Sequence, residues 1–392
     1  MRNRLQGRVA AVGLTGALAG AGLLAAVGVP AAEAAPGTAP STVTVLASGL
    51  NNPRSVTWSA GRLYVAEAGK GGLDCPTGLM GPDGGPTCVG RTGSIAQIYG
   101  GRAHNVVSGL FSMAGQGGIG AEGVMGLTAT GADDLTAVFG ESVAGAFASL
   151  PKGSSFTRSD SAAARAQLGR LATVDDGRLA LRADVGDSDY AWSVRHKNLV
   201  PDQFPDANPN YVKVVGNTTY VIDSASNTLD AVTRGGHVRQ LAFFPNPPQR
   251  DAVPTCVDRG PDGALYIGAL APAAAPNTGN IYRYSPHTGR LSIWKTGFNV
   301  VDGCGFDSKG NFYAVEFQAH GFNPSPSGNP AGDIIKITPN GTRTVLGAGG
   351  LFYPQGFASD PAGNIYVSNW SIFPGTPAHP GMPTGEVVRL HD

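Results

Sequence analysis

Apolar residues along this chain fall into short alternating runs rather than helical stripes. Gly279-Asn280-Ile281-Tyr282-Arg283-Tyr284 and Gly332-Asp333-Ile334-Ile335-Lys336-Ile337 alternate apolar with polar, the period of a β-strand. One run keeps returning with its own turn. It reads Pro-Asp-Gly-Ala-Leu-Tyr-Ile from Pro261 to Ile267, Ser-Lys-Gly-Asn-Phe-Tyr-Ala from Ser308 to Ala314, and Pro-Ala-Gly-Asn-Ile-Tyr-Val from Pro361 to Val367. Looser copies span Ser59 to Val65 and Gly216 to Val221. Each copy is a Gly-containing turn entering a strand with a central aromatic. The aromatic recurs at Tyr220, Tyr266, Tyr313 and Tyr366, in steps of 46, 47 and 53 residues. A repeat of that length made of short strands predicts propeller blades, because one four-stranded sheet cannot bury both faces alone.

The units fall near 53–110, 121–185, 206–244, 253–297, 301–350 and 353–390. The second is degenerate, with Leu135-Thr136-Ala137-Val138 in place of the Tyr strand, and a seventh unit would have to hide in 143–205. The last unit stops at its third strand, Gly385–Leu390. Its missing strand stands at the other end of the chain, where Thr44-Val45-Leu46 leads into Pro53 as Thr344-Val345-Leu346 leads into Pro354. The pattern predicts an all-β, six-bladed β-propeller of four-stranded antiparallel blades, a single domain over 43–391. The N-terminal strand closes the ring and so removes its exposed edges.

Before that domain, Arg2, Arg4 and Arg8 precede an Ala/Gly/Leu/Val run from Val9 to Val29 and the small-residue site Ala32-Glu33-Ala34. This is the pattern of a secretory signal peptide over 1–34, with 35–42 a short linker. The run is long enough to span a bilayer, but its low hydrophobicity favours cleavage over anchoring. The reading is a secreted, soluble, monomeric protein. Lys+Arg and Asp+Glu both number 28, and no basic stripe is present, so nucleic acid is not expected as a partner. Gly at 58 and Pro at 29 of 392 residues supply the many turns of an all-β chain. The four cysteines fit an oxidising compartment. Cys75 and Cys88 bracket a Gly/Pro-rich insertion, and Cys256 and Cys304 stand 48 apart, one repeat, so the pairs Cys75–Cys88 and Cys256–Cys304 are predicted.

Several segments resemble the ScyD/ScyE family of exported NHL-like β-propellers. They are Leu50-Asn51-Asn52-Pro53-Arg54, Tyr64 to Gly72, Gly90 to Ile95, Val253-Pro254-Thr255-Cys256 and Tyr366 to Ser371. The resemblance covers most of 43–391. It implies a six-bladed propeller of the NHL, SMP-30 and strictosidine-synthase kind and carries over no agreed catalytic residues.

Local signatures of catalysis are missing: the sequence has no Gly-x-Ser-x-Gly elbow and no His-Glu-x-x-His. Gly118 to Gly123 matches Gly-x-Gly-x-x-Gly without a βαβ unit around it and reads as a loop. One constellation stands out. The same position at the end of each Tyr strand holds Glu67, Asp223, Ala269, Glu316 and Asn369, and the degenerate blade offers Glu141. Equivalent positions in a propeller form a ring, so Glu67, Asp223, Glu316 and Asn369 are candidate ligands for Ca²⁺ or Mg²⁺ at one channel mouth. Arg54, Asp302 and Gln355 start inner strands and are candidates for the same mouth. The competing reading is that strand ends turn polar at solvent, their carboxylates held by backbone N–H groups. Two loops, 69–89 and 187–210 (the latter with Tyr190, Trp192, His196 and Phe204), are further binding candidates. Two functions follow. One is a non-enzymatic binding module for a small molecule, glycan or protein. The other is a metal-dependent lactonase or esterase of the SMP-30 kind. The ring's break at Ala269 and the lack of a His-partnered base favour the first.

Overall fold

Each Tyr strand is the second of four antiparallel strands, and six such sheets stand around one axis as the blades of a β-propeller. The computed structural model describes residues 37–38, 42–77, 79, 86–149, 157–200, 205–245, 251–323, 329–377 and 380–391. The expected signal peptide, most of the linker and Phe204 lie outside them. Blade 1 comprises Pro53–Ser59, Arg62–Glu67, Cys88–Tyr99 and Arg102–Ala114, and blade 2 Val124–Ala129, Leu135–Phe139, Arg170–Asp175 and Arg178–Asp184. Blade 3 comprises Pro209–Val215, Thr218–Asp223, Thr228–Val232 and Val238–Phe243. Blade 4 runs through Pro254–Arg259, Leu265–Ala269, Gly279–Ser285 and Arg290–Phe298. Blade 5 holds Val300–Phe306, Phe312–Gln318, Ala331–Ile337 and Arg343–Phe352. Blade 6 takes Gln355–Ser359, Asn364–Asn369 and Gly385–His391 and borrows its outer strand, Val43–Leu50, from the N-terminal end. The first strand of each blade packs beside that of the next, and blade 6 beside blade 1.

The repeat's tyrosines explain why sheets become a ring. Tyr64, Tyr220, Tyr266, Tyr313 and Tyr366 are all buried. Full burial of such a ring contributes about 2 kcal/mol. The hydroxyls of Tyr266, Tyr313 and Tyr366 are tied to the preceding turn, and that of Tyr64 donates to the Ala132 carbonyl in blade 2. In blade 6, Asp360 Oδ1 accepts from the backbone N–H groups of Ala362 and Asn364 at 2.9 Å each, and its Oδ2 accepts the Tyr366 hydroxyl at 2.8 Å. Asp307 does the same for Lys309, Asn311 and Tyr313. The recurring phrase is therefore a fold device in which turn, strand and inter-blade packing share one carboxylate.

Blade 2 departs from the sequence expectation. Its outer strands follow an insertion over 140–169 that holds helices α1 (Val143–Ser149) and α2 (Arg158–Gln167). Helix α3 (Val185–Arg195) occupies part of the stretch expected to be a loop. Both α2 and α3 start on a side-chain cap: Thr157 accepts from Asp160 N, and Asp184 from Asp187 N. The stretch 143–205 thus completes blade 2, and among the described residues it holds no seventh sheet.

Closure follows the expected route. Val43 pairs with Leu390, Val45 with Val388 and Leu50 with Gly385, all antiparallel. Gly37–Thr38 adds a short parallel strand to the outer edge of blade 5, opposite Thr344 and Val345, a pairing the sequence did not suggest. Both predicted disulfides are present, with Cα separations of 4.0 Å for Cys75–Cys88 and 5.6 Å for Cys256–Cys304. The second joins the inner strands of blades 4 and 5.

Two outcomes are expected. Deleting residues 35–50 removes the closing strand and should lower the melting temperature by more than about 10 °C or prevent folding; an unchanged calorimetric transition would refute the closure role. A Cys256→Ala/Cys304→Ala variant should lose about 4 kcal/mol in urea denaturation, from the entropy of the opened loop.

Candidate functional site

Long connections gather at one end of the propeller. At the opposite end every hairpin turn, from 60–61 to 360–363, has two to five residues. The connections 68–87, 140–169, 185–208 and 370–384 all lie where second strands end and inner strands begin. On a rigid scaffold, irregular segments of this kind are where binding residues concentrate.

The inner strands prepare that face. In every blade one extra residue interrupts the pairing of the first two strands just after the inner strand begins. A bulge bends the strand and re-aims a side chain. The residue at or beside it is Arg54, Met125, Asn210, Thr255, Asp302 or Gln355, and all six are at least nine-tenths buried. Three of them connect across blades 1, 6 and 5. Arg54 Nη1 donates to Gln355 Oε1 at 3.0 Å, and Gln355 Nε2 donates to Asp302 Oδ1 at 3.3 Å. Arg54 Nη2 donates to the carbonyl of Ala121 at 2.5 Å, while its Nε has no partner. So the structure does bring Arg54, Asp302 and Gln355 together.

Burial sets the electrostatics. It pushes the Asp302 carboxyl up to about 7 against the pull of Arg54. Burial lowers the Arg54 guanidinium from its ordinary value, opposed by Glu122 and Asp302. Glu122 and Asn208, which sequence reasoning missed, complete the mouth on the side of blades 2 and 3. A Cβ on Gly140 would lie 2.7 Å from both Asn208 Oδ1 and Glu122 Oε2, so glycine there permits the approach. Next to it stands Glu141, 6 % exposed, with φ of 62° and its N–H donating to Asn208 Oδ1 at 2.9 Å. That left-handed backbone is unusual for a residue with a side chain. Burial, then the charges of Asp206, Glu122 and Asp223, hold the Glu141 carboxyl well above the usual carboxylate range.

The ends of the Tyr strands have a different role. Glu67 Oε2 accepts from Asn51 N at 2.7 Å and its Oε1 from Ser94 Oγ at 3.0 Å. Glu316 accepts from Asn299 N at 2.8 Å, and Asn369 from Phe352 N at 2.7 Å. Asp223 Oδ1 accepts from the N–H groups of Asn208, Ala225 and Ser226. Each side chain ties its second strand to the backbone entering or flanking the same blade. Their shared register is real, and each already serves a backbone N–H of its own blade; among the described residues no three His, Cys, Asp or Glu side chains are grouped to hold a metal.

Two carboxyl pairs follow from the same crowding. Glu316 lies opposite Asp333 on the third strand of blade 5, and both oxygens of Glu316 already accept from Asn299. Asp333 must donate, and burial beside Glu316 pushes it up to about 8. On α3, Asp189 Oδ1 accepts from Gln240 Nε2 at 2.7 Å, and Asp230 Oδ2 accepts from Thr228 Oγ1 at 3.1 Å. The remaining oxygens, Asp189 Oδ2 and Asp230 Oδ1, are buried without a donor, and the two carboxyls touch. A proton between them is the one bond both can share. The loop candidates Trp192 and His196 stack at 4.2 Å, with Trp192 also against Phe243 at 5.9 Å, and border a shallow crevice away from the mouth.

Among solved structures this chain resembles a luciferin-regenerating enzyme, 11% identical over 90% of this chain and 96% of that one, with a TM-score of 0.50. It also resembles a Bacteroides thetaiotaomicron protein of unknown function, 9% identical over 90% and 76%, TM-score 0.51. A streptogramin B lyase is 14% identical over 90% and 97%, TM-score 0.44. At such identities the likeness establishes the fold alone. No family model and no curated protein matches the sequence.

The Glu316–Asp333 pair gives a pH prediction. Asp333 has a folded pKa of about 8, above the ordinary unfolded value of about 3.9. Its stabilising proton is fully held below the unfolded pKa, and that contribution is lost as pH rises through the folded one. Asp333→Asn keeps a donor toward Glu316 without a titrating group. The variant should melt progressively higher than wild type as pH rises from 5 to 9, read by differential scanning fluorimetry. A constant difference between the two would refute the shared proton.

Proposed function

We propose that this chain is an exported β-propeller binding protein of the ScyD/ScyE kind, with its ligand site at the channel mouth and adjoining loops. Export rests on the signal-peptide pattern and the two disulfides; among the described residues no helix is long and apolar enough to cross a membrane. The observation that carries the site is the set of unsatisfied polar groups at one place. Arg54 Nε and Glu122 Oε2 are buried without hydrogen-bond partners, and Glu141 stands buried beside them on a left-handed backbone. Native proteins rarely leave such groups unpaired; ordered water, an ion or a ligand satisfies them, and a ligand that does so gains the hydrogen bonds. Donors and acceptors of both kinds stand there, from guanidinium, carboxyl and amide, which suits a small polar ligand. The ring offers no nucleophile paired with a base, so binding is favoured over hydrolysis.

A thermal-shift screen tests this, using neutral saccharides, amines, carboxylates, lactones, Ca²⁺ and Mg²⁺. A ligand at 100 times its Kd should stabilise the wild type by about 2.7 kcal/mol, and Glu141→Gln should lose most of that response while keeping its own melting temperature. A ligand whose effect is indifferent to Glu141→Gln would place the site elsewhere. Lactone or ester turnover that requires Ca²⁺ or Mg²⁺ would establish the hydrolase reading instead.

A further inference from the structure

The seam where the ring closes carries a second groove, separate from the channel mouth. It lies between the outer strand of blade 6 and the outer strands of blade 1, with a volume of about 400 Å³. That is the size of a small-ligand site. Its lining is strongly polar, with Ser48, Asn105 and Ser108 among the side chains and Glu67 and Ser94 deeper in. Gly49, Gly93 and Gly109 also line it, and a Cβ on Gly109 would meet nothing within 4 Å.

Charge decides what such a groove would take. Arg91 and Arg102 stand on its wall, and neither forms an ion pair among the described residues. Arg91 Nε donates to the Gly109 carbonyl at 3.1 Å, which fixes the plane of the guanidinium and leaves both Nη groups to other acceptors. Glu67 lies deeper in the same groove, accepts from Asn51 N and Ser94 Oγ, and forms no ion pair with either arginine among the described residues. The wall beneath is rigid: Thr92 Oγ1 accepts from Lys70 N and donates to the Gly71 carbonyl. The groove therefore combines two available guanidinium forks with exposed hydroxyl and amide groups. Guanidinium forks match carboxylates bidentately, and hydroxyls and amides match the hydroxyls of a sugar.

We propose that this groove binds a carboxylated saccharide, with Arg91 and Arg102 taking the carboxylate and Ser48, Asn105 and Ser108 the ring hydroxyls. The site is independent of the channel-mouth reading and goes beyond it. Calorimetric titration of the full exported chain at low salt tests it with four probes: a hexamer of galacturonate, monomeric galacturonate, uncharged maltohexaose and hexaglutamate. The hexamer should bind, and Arg91→Gln/Arg102→Gln should weaken it by more than about tenfold at unchanged melting temperature. Glu141→Gln should leave it unaltered, which separates this groove from the mouth. Comparable binding of the monomer would assign the ligand to free sugar acids, and binding of the hexamer alone to acidic polysaccharide; both support the proposal. Equal binding of maltohexaose would overturn the role of charge, and equal binding of hexaglutamate the role of the saccharide. Failure of both uronate probes, or their indifference to the arginine substitutions, would overturn the site.

Discussion

A four-stranded blade with two apolar faces must have a neighbour on each, and everything else in this structure depends on that requirement. Five of the repeat's second strands place a tyrosine in the contact between blades, and each blade supplies cover for the next. An open array would leave two faces in water, so the ring has to close. Closure by Val43–Leu50 makes the last sheet a product of both ends of the domain, and the whole barrel of inner strands is then held at fixed spacing. The cross-blade disulfide Cys256–Cys304 reinforces the same inner wall.

Fixed spacing gives the repeated bulge its consequence. A bulge in a lone hairpin would turn one side chain; six in a ring turn six toward a common axis. Because the axis is narrow, those side chains are buried, and buried polar groups are stable only as a network. Arg54, Gln355 and Asp302 form part of one. The network is incomplete on the side of blades 2 and 3, where Glu122, Glu141 and Asn208 meet over Gly140. That asymmetry has a chain-level cause: blade 2 is the one interrupted by helices, and its insertion delivers Glu141 to the mouth on a left-handed residue.

The repeat made the fold legible. Tyr spacing, the strand missing from the last blade and one-repeat cysteine spacing each report on geometry that recurs, and a recurring geometry leaves a periodic trace. Register was legible too, since Glu67, Asp223, Glu316 and Asn369 do share a position. Their use was not. Period two tells which face a side chain leaves from, but not whether the N–H of Asn51 or Asn299 waits within 3 Å of it. Glu122 and Asp189 left no signal because they stand in the non-repeating segments, where no second copy exists for comparison; Asn208 leads into blade 3 and Asp230 stands within it, where the repeat gives position but not partner. The helices over 143–195 were hidden for the same reason, although their caps at Thr157 and Asp184 are ordinary local signals.

Buried polar groups are treated differently at the two ends of this propeller. At the hairpin end the turn aspartates are well satisfied: Asp307 and Asp360 each accept from backbone, amide and tyrosine together. At the loop end, carboxyls are buried near one another, and burial with mutual repulsion holds Glu141, Asp189 and Asp230 well above the usual carboxylate range. A buried carboxylate without a partner costs several kcal/mol, which a stable ring can absorb but a marginal one cannot. The well-satisfied end thus permits the poorly satisfied one. By that argument, replacing the unsatisfied groups with apolar residues of similar size would make the ring more stable, so folding alone gives no reason for their presence.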